Sequence, residues 1–230
     1  MLKLDTCTIS NGAFHLQADL SVDAGNSVAV IGPSGAGKST LLEAITGFRE
    51  ISAGHICWKQ QDLTKLAPGK RPIAMLFQDG NLFPHLTAEQ NVALGLRPSG
   101  KLSQTEQDQV QAALERVGLA GMGARMPAEL SGGQQSRVAL ARVLVQHRDL
   151  LLLDEPFAAL GPALKAEMLD LVAELAAETG TTLLMVSHDP QDARRITRKA
   201  ILVADGIAHP PAETHELLDN PPPALRQYLG

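Results

Sequence analysis

Short β-type runs alternate with turns through the first third of the chain, at Leu2–Ile9, Phe14–Val22 and Ser27–Ile31. After the third run comes a glycine-rich turn, and a helical stretch opens at Ser39. This is the order strand, turn, helix. From Leu102 the period changes. Ser103 and Glu106 have capping-box spacing, and Val110, Ala113, Leu114 and Val117 recur on one helical face. Later the apolar runs ending at Asp154, at Val186 and at Asp205 alternate with helical segments. Near-continuous apolar strands separated by helices predict a parallel sheet covered on both faces. The expected fold is therefore α/β, with the helical middle inserted between two halves of one core. No internal repeat or low-complexity tract is present, and the proline-rich end NPPPAL reads as a stop and a turn, without a regulatory domain.

Composition narrows the classes. With 230 residues, 44% apolar and 20% charged, the chain can bury a full core. A formal net charge of −5 offers no basic field for phosphate polymers, which argues against nucleic acid as a partner. The local group Arg194, Arg195, Arg198 and Lys199 reads as a solvated helix end. Cys7 and Cys57 have neither CxxC spacing nor a neighbouring histidine at metal-ligand spacing, so no disulfide framework or zinc site is expected. The opening MLKLDTCTIS lacks the apolar run of a signal peptide, and no stretch of about 18 apolar residues appears. A membrane role would have to run through a partner.

The chemistry is carried by two segments. Gly32, Pro33, Ser34, Gly35, Ala36, Gly37, Lys38, Ser39 and Thr40 fit GxxxxGK[ST] between a strand and a helix, the context a phosphate-binding loop requires. The glycines allow backbone N–H groups and a helix N-terminus to converge on phosphates. Lys38 supplies charge for the β- and γ-phosphates, Ser39 a hydroxyl for Mg²⁺, and Thr40 support for the α-phosphate. In Leu150–Pro156, an apolar strand ends in two carboxylates at the sheet edge where α/β proteins bind ligands. Asp154 would orient Mg²⁺ through its water, and Glu155 would polarise the attacking water. An Asp-Glu pair after a strand is by itself usually a solvated helix start. Its weight comes from the phosphate loop upstream.

Leu130–Gln134 reads LSGGQ and resembles the signature of the ABC ATPases, so the chain is identified as similar to that family rather than to any phosphate-loop enzyme. Ser-Gly-Gly is also an ordinary helix cap, and the order of motifs decides between the two. Gln78, after the strand-like IAMLF, and His188, after TTLLMVS, stand where the family has its Q-loop glutamine and switch histidine. The resemblance spans Gly32 to His188. It implies a phosphate-loop NTPase core with an N-terminal antiparallel β subdomain and an inserted helical subdomain. The implied division is residues 1–85 and 150–230 for the core and 86–149 for the helices. It further implies ATP and Mg²⁺ as ligands, with Gln78 touching the metal and attacking water and His188 the γ-phosphate. Nucleotide would be sandwiched in a homodimer between one chain's phosphate loop and its partner's Ser131, Gly132, Gly133 and Gln134.

Two positions depart from the family. Ala158, Ala159, Leu160 and Gly161 stand where it usually reads SALD, so an aspartate that helps position the opposing site is missing, and weaker coupling of the two sites is expected. Spacing puts Ile9 at the usual adenine-stacking position, with Phe14 the nearest aromatic and core packing its expected role. A single cassette without a fused membrane domain points to an importer with separate permease subunits and, indirectly, a periplasmic binding protein. The location implied is the cytoplasmic face of the inner membrane. Asp79–Leu96 would face the permease, with Leu82, Phe83 and Leu86 divided between that groove and the insert's core. Met75–Leu96 and Leu183–Ile196 are most similar to ATP-binding subunits of bacterial thiamine and thiamine diphosphate importers. Iron(III), polyamine, sulfate and molybdate importers are the alternatives, and a non-transport ABC ATPase is a more distant one.

Overall fold

The computed structural model describes residues 1–12, 14–77, 82–99 and 101–229. The chain runs β1 (Leu2–Asn11), β2 (Phe14–Val22), β3 (Ser27–Ile31), α1 (Lys38–Thr46), β4 (Ala53–Trp58), β5 (Gln61–Asp62), β6 (Ile73–Leu76), α2 (Ala88–Ala93), α3 (Gln104–Arg116) and α4 (Gly132–Leu144). It continues β7 (Leu150–Asp154), α5 (Pro162–Thr179), β8 (Thr182–Val186), α6 (Pro190–Ile196), β9 (Lys199–Ala204), β10 (Ile207–Ala208), β11 (Ala212–Glu213), α7 (Thr214–Asp219) and α8 (Pro223–Leu229). The strands form one sheet in the order β5-β4-β1-β2-β10-β9-β3-β8-β7-β6, with β11 paired to β9. Its two halves differ in sense. β1 pairs antiparallel with β2 and β4, whereas β9, β3, β8, β7 and β6 run parallel.

The apolar runs of the parallel half follow from burial on both faces. In β7, Leu150 and Leu152 pack with Leu41, Leu42 and Ile45 of α1 and with the β1–β2 face. Leu151 and Leu153 point the other way, into a core made with α4 and α5. Helix α1 is thereby enclosed between the antiparallel and parallel halves, and the loop preceding it is held from both sides. In the inserted helices Val110, Ala113, Leu114 and Val117 are buried in the same cluster as Leu151 and Leu153. The insert thus continues the main core. The Ser103 capping box is formed, with the Ser103 N–H donating to Glu106 Oε2 at 2.7 Å.

Strands β4 and β5 are not evident in the sequence pattern. β4 buries only Ile56 and Trp58, and its Gly54 and His55 interrupt a β-like run. Pairing with β1 across the sheet organises it instead. The basic group near residue 194 is engaged rather than simply solvated. Arg195 grips Asp170 of α5 with two hydrogen bonds of 2.7 and 2.6 Å, and Arg194 reaches Asp219 of α7. Cys7 and Cys57 are both free thiols, and burial raises the Cys7 thiol to about 11.

One buried cation ties these parts together. Arg71, 3% exposed, donates to the carbonyls of Ala44 (2.9 Å) and Ile45 (2.7 Å) at the C-terminal end of α1, and to those of Leu66 (2.9 Å) and Thr64 (3.2 Å). Burial lowers its pKa, while the charge of Asp62 acts in the opposite direction. Helix-end carbonyls carry partial negative charge and so accept a guanidinium. Arg71→Met removes four hydrogen bonds to these oxygens, of which only that of Ala44 is shown with another donor, the Gly47 N–H at 3.2 Å, and is expected to cost about 3 kcal/mol of unfolding free energy. Chemical denaturation measures this; an unchanged midpoint would refute it.

Candidate nucleotide site

The parallel register determines what meets at the sheet edge. Asp154 is the Cα partner of Val186, Val30 is also aligned with Val186, and Leu76 is aligned with Leu153. The ends of β3, β8 and β7 therefore deliver the phosphate loop, His188 and the Asp154-Glu155 pair to one place. β6 ends at the same edge, but Gln78 lies outside the described residues.

The loop Gly32–Gly37 leads directly into α1, and three of its glycines have positive φ, including Gly32 at 147°. Glycine at position 32 is dictated by contact as well: a Cβ there would lie 2.0 Å from the carbonyl oxygen of Val203. Lys38, the first residue of α1, folds back over the loop, and its Nζ donates to the carbonyls of Gly32 and Pro33, both at 2.9 Å. Burial lowers the Lys38 pKa, and the charges of Glu155 and Asp154 act against that. Ser39 Oγ donates to Asp154 Oδ1 at 3.1 Å. Burial likewise raises the Asp154 pKa; the Ser39 hydrogen bond lowers it, and Glu155 raises it further. A hydroxyl and a carboxylate at this distance form the hard oxygen pair that suits Mg²⁺.

Glu155 has a φ of 46°, unusual for a residue other than glycine, and its N–H donates to the carbonyl of Val186 at 3.2 Å. Such strain at a strand end is a common feature of functional positions. Its carboxylate Oε2 lies 3.0 Å from His188 Nδ1, an acidic and an imidazole group from adjacent strand ends in direct contact.

Ser131 caps α4: its Oγ accepts from the Gln134 N–H at 3.3 Å, and Gln134 Oε1 accepts from the Ser131 N–H at 2.9 Å. Helix α4 spans 13 residues, so its N-terminus carries appreciable positive character. Gly133 is buried against α5, where a Cβ would lie 2.3 Å from Leu164 Cδ2. Gly161 caps α5 with φ −64° and ψ 156°, and a Cβ there would meet nothing within 4 Å. That conformation suits any L residue, so the backbone does not require glycine at position 161.

Ile9, at the position spacing suggests for adenine stacking, is 0% exposed and belongs to the core. Phe14 packs partly buried against the same core, and its ring rests beside the loop: a Cβ on Gly37 would lie 2.6 Å from Phe14 Cζ. The core role expected of Phe14 and a place at the nucleotide are thus compatible. Leu82 packs against the helical core while Phe83 is 46% exposed, so the Leu82–Leu86 segment is divided between core and surface.

Missed in the sequence was the support behind His188. Lys165 of α5 lies 3.1 Å from Asp189 and 2.7 Å from Asp192. No local spacing links residue 165 to residues 189 and 192; only the packing of α5 on α6 does. Among the described residues, no helix is long and apolar enough to cross a membrane.

A nucleotide-binding cassette is what this loop, carboxylate pair, histidine and capped signature helix amount to, and residues 16–158 match the family profile described as ABC transporter. The chain belongs to the ABC transporter family and binds ATP as its ATPase members do. Among curated relatives it is similar to the thiamine import ATP-binding protein ThiQ of Ruegeria sp., 66% identical over 230 residues and 100% of both chains. It is also similar to the protein of that name from Cereibacter sphaeroides, at 59% over the same span. Among solved structures, the dimeric ATP-binding cassette MJ0796, bound to ADP and Pi in a post-hydrolysis state, is similar with a TM-score of 0.79. That match has 29% identity and covers 93% of this chain and 99% of the other.

The contact at Gly32 yields a direct test. Gly32→Ala forces Val203 or the loop to move, at a strain of about 1–3 kcal/mol. The expected outcome is a lower melting temperature together with weaker Mg-ATP binding in titration calorimetry; unchanged values of both would show that the loop tolerates a Cβ.

Proposed function

We propose that this chain is the ATP-binding and ATP-hydrolysing subunit of a bacterial ABC importer for thiamine and thiamine diphosphate. The observation that carries the substrate assignment is full-length identity of 66% and 59% to two thiamine import ATP-binding proteins. No residue of this chain needs to touch the vitamin; selectivity resides in a binding protein and permease, and this subunit supplies the work.

The residues act as follows. Backbone N–H groups of Gly32–Thr40 and the α1 N-terminus hold the phosphates, and the Lys38 ammonium turns from the Gly32 and Pro33 carbonyls to the β- and γ-phosphates. Mg²⁺ would be held by Ser39 and Asp154 and, as the family resemblance implies, by Gln78, and would neutralise phosphate charge. Glu155 accepts a hydrogen bond from the attacking water, orienting and polarising it. His188, held against Glu155, contacts the γ-phosphate. Two chains pair head to tail, so that Ser131, Gly132, Gly133 and Gln134 of one close over the nucleotide of the other; dimeric ABC cassettes of similar fold support this. ATP contacts both chains only in the closed dimer and therefore shifts the population toward it.

The permease docks beside the Leu82–Leu86 segment, drawing the subunit to the cytoplasmic face of the inner membrane. Phe48, Phe77 and Phe83 are 61%, 39% and 46% exposed, and the rings of Phe48 and Phe77 lie 5.8 Å apart. Exposed aromatic rings, two of them paired, are a usual mark of a protein interface.

Two measurements test this reading. In source cells lacking the gene, uptake of labelled thiamine at limiting concentration is expected to return with the wild-type chain and not with Glu155→Gln. Uptake unaffected by the deletion would overturn the thiamine assignment. Gly161→Asp introduces the carboxylate of the family's usual SALD and fits the open N-cap of α5, where aspartate gains a few tenths of a kcal/mol over glycine. The expected result is a slightly higher melting temperature and a higher Hill coefficient for ATP hydrolysis. An unchanged Hill coefficient would separate that carboxylate from site coupling.

A further inference from the structure

Lys165 stands on the first turn of α5, four residues beyond Gly161, and its side chain is only 16% exposed. Its Nζ lies 2.7 Å from Asp192 Oδ2 and 3.1 Å from Asp189 Oδ2. Both acceptors are held in turn. Asp192 Oδ2 accepts from Ser187 Oγ at 2.5 Å, and Asp189 Oδ1 accepts from the Gln191 N–H at 2.9 Å, capping α6. Ser187 Oγ further accepts from the Asp189 N–H at 3.0 Å. The residues on both sides of His188 are therefore fixed to one another and to a single ammonium on a different helix. His188 itself has its Nδ1 3.0 Å from Glu155 Oε2. Lys165, Ser187 and Asp192 line one small cavity together with Glu155 and His188.

A lysine in an ordinary surface ion pair contributes little and is readily replaced. Here burial opposes the Lys165 ammonium, but the hydrogen bonds and charges of Asp192 and Asp189 outweigh it and keep its pKa raised. Two carboxylates converging on one mostly buried cation define a position to within a fraction of an ångström, which a loop residue such as His188 cannot do for itself.

We infer that Lys165 is a positioning residue for ATP hydrolysis: through Asp189, Asp192 and Ser187 it fixes the loop that presents His188 to Glu155 and the γ-phosphate. The contacts of the Lys165 ammonium are with Asp189 and Asp192 rather than with the phosphate loop. Its removal should therefore spare ground-state binding, which rests on the phosphate loop, and slow the chemical step. This inference rests on the assignment of Glu155 and His188 made above.

The test is steady-state hydrolysis and Mg-ATP binding by the full chain. Lys165→Met is expected to lower kcat at least about tenfold, in keeping with the sensitivity of catalysis to small misplacements. Its dissociation constant for Mg-ATP should stay within about twofold of wild type. Lys165→Arg, which keeps the charge, should recover most of the rate, and Asp192→Asn should mimic Lys165→Met. A kcat within about twofold of wild type in Lys165→Met overturns the inference. So does a parallel loss of rate, affinity and melting temperature that Lys165→Arg does not rescue, because that is a purely structural role. Glu155→Gln in the same assay separates the two assignments. If it turns over at the wild-type rate, the site reading fails and the Lys165 inference with it. If it is inactive while Lys165→Met is fully active, only the Lys165 inference fails.

Discussion

The parallel register of β3, β8, β7 and β6 is the constraint on which the rest of the molecule depends. Because Asp154 and Val30 both align with Val186, the chain segments leaving those strands emerge side by side, and residues separated by more than a hundred positions meet without any long side chain reaching across. Ser39 bonds Asp154, and Glu155 contacts His188, as a consequence of that alignment. Parallel pairing demands burial on both faces, and the apolar runs Leu150–Leu153 and Leu183–Val186 satisfy it with side chains divided between two cores. A slip of one strand by one residue would move its apolar side chains to the wrong face and, at the same time, dissociate the site. Fold stability and site geometry are set by the same residues.

The site accepts unfavourable electrostatics to obtain its shape. Lys38 and Asp154 are each displaced by burial away from the charged form, and each is partly restored by its neighbours. Lys38 donates to two backbone carbonyls, weaker partners than the phosphate oxygens it is proposed to bind. The strained φ of Glu155 belongs to the same pattern: a residue held off its preferred conformation by the strand behind it and the carbonyl of Val186 in front.

Legibility in the sequence follows from whether a feature is local. The strand, loop and helix around Gly32–Thr40, the capping box at Ser103 and the apolar strands each depend on neighbours within a few residues, and each is visible as a pattern. β4 is not, because its order comes from pairing with β1 and from only two buried side chains. The same holds for Ile9, whose spacing suggested the nucleotide but whose place in alternating β1 sends it into the core. Arg71 and Lys165 read as ordinary surface cations in one dimension. They become structural only because α1 ends against the segment before β6 and α5 packs on α6. Long-range polar contacts have no sequence period, so neither residue announces itself.

These long-range contacts also bear on how two nucleotide sites in a dimer can sense each other without the aspartate missing at position 161. Gly133, in the segment proposed to cover the partner's nucleotide, is buried against Leu164 of α5, and the next residue along α5 is Lys165. From Lys165 the ion pairs run to Asp189 and Asp192 beside His188, the residue proposed to contact the chain's own nucleotide. Displacement of the α4 N-terminus must therefore either deform the contact at Gly133, where no space exists for even one additional carbon unless Leu164 moves, or carry α5 with it. A packed contact followed by a buried ion pair transmits displacement in a way that a solvated loop cannot. Such a route would run through α5 itself and would act in addition to any carboxylate supplied at position 161.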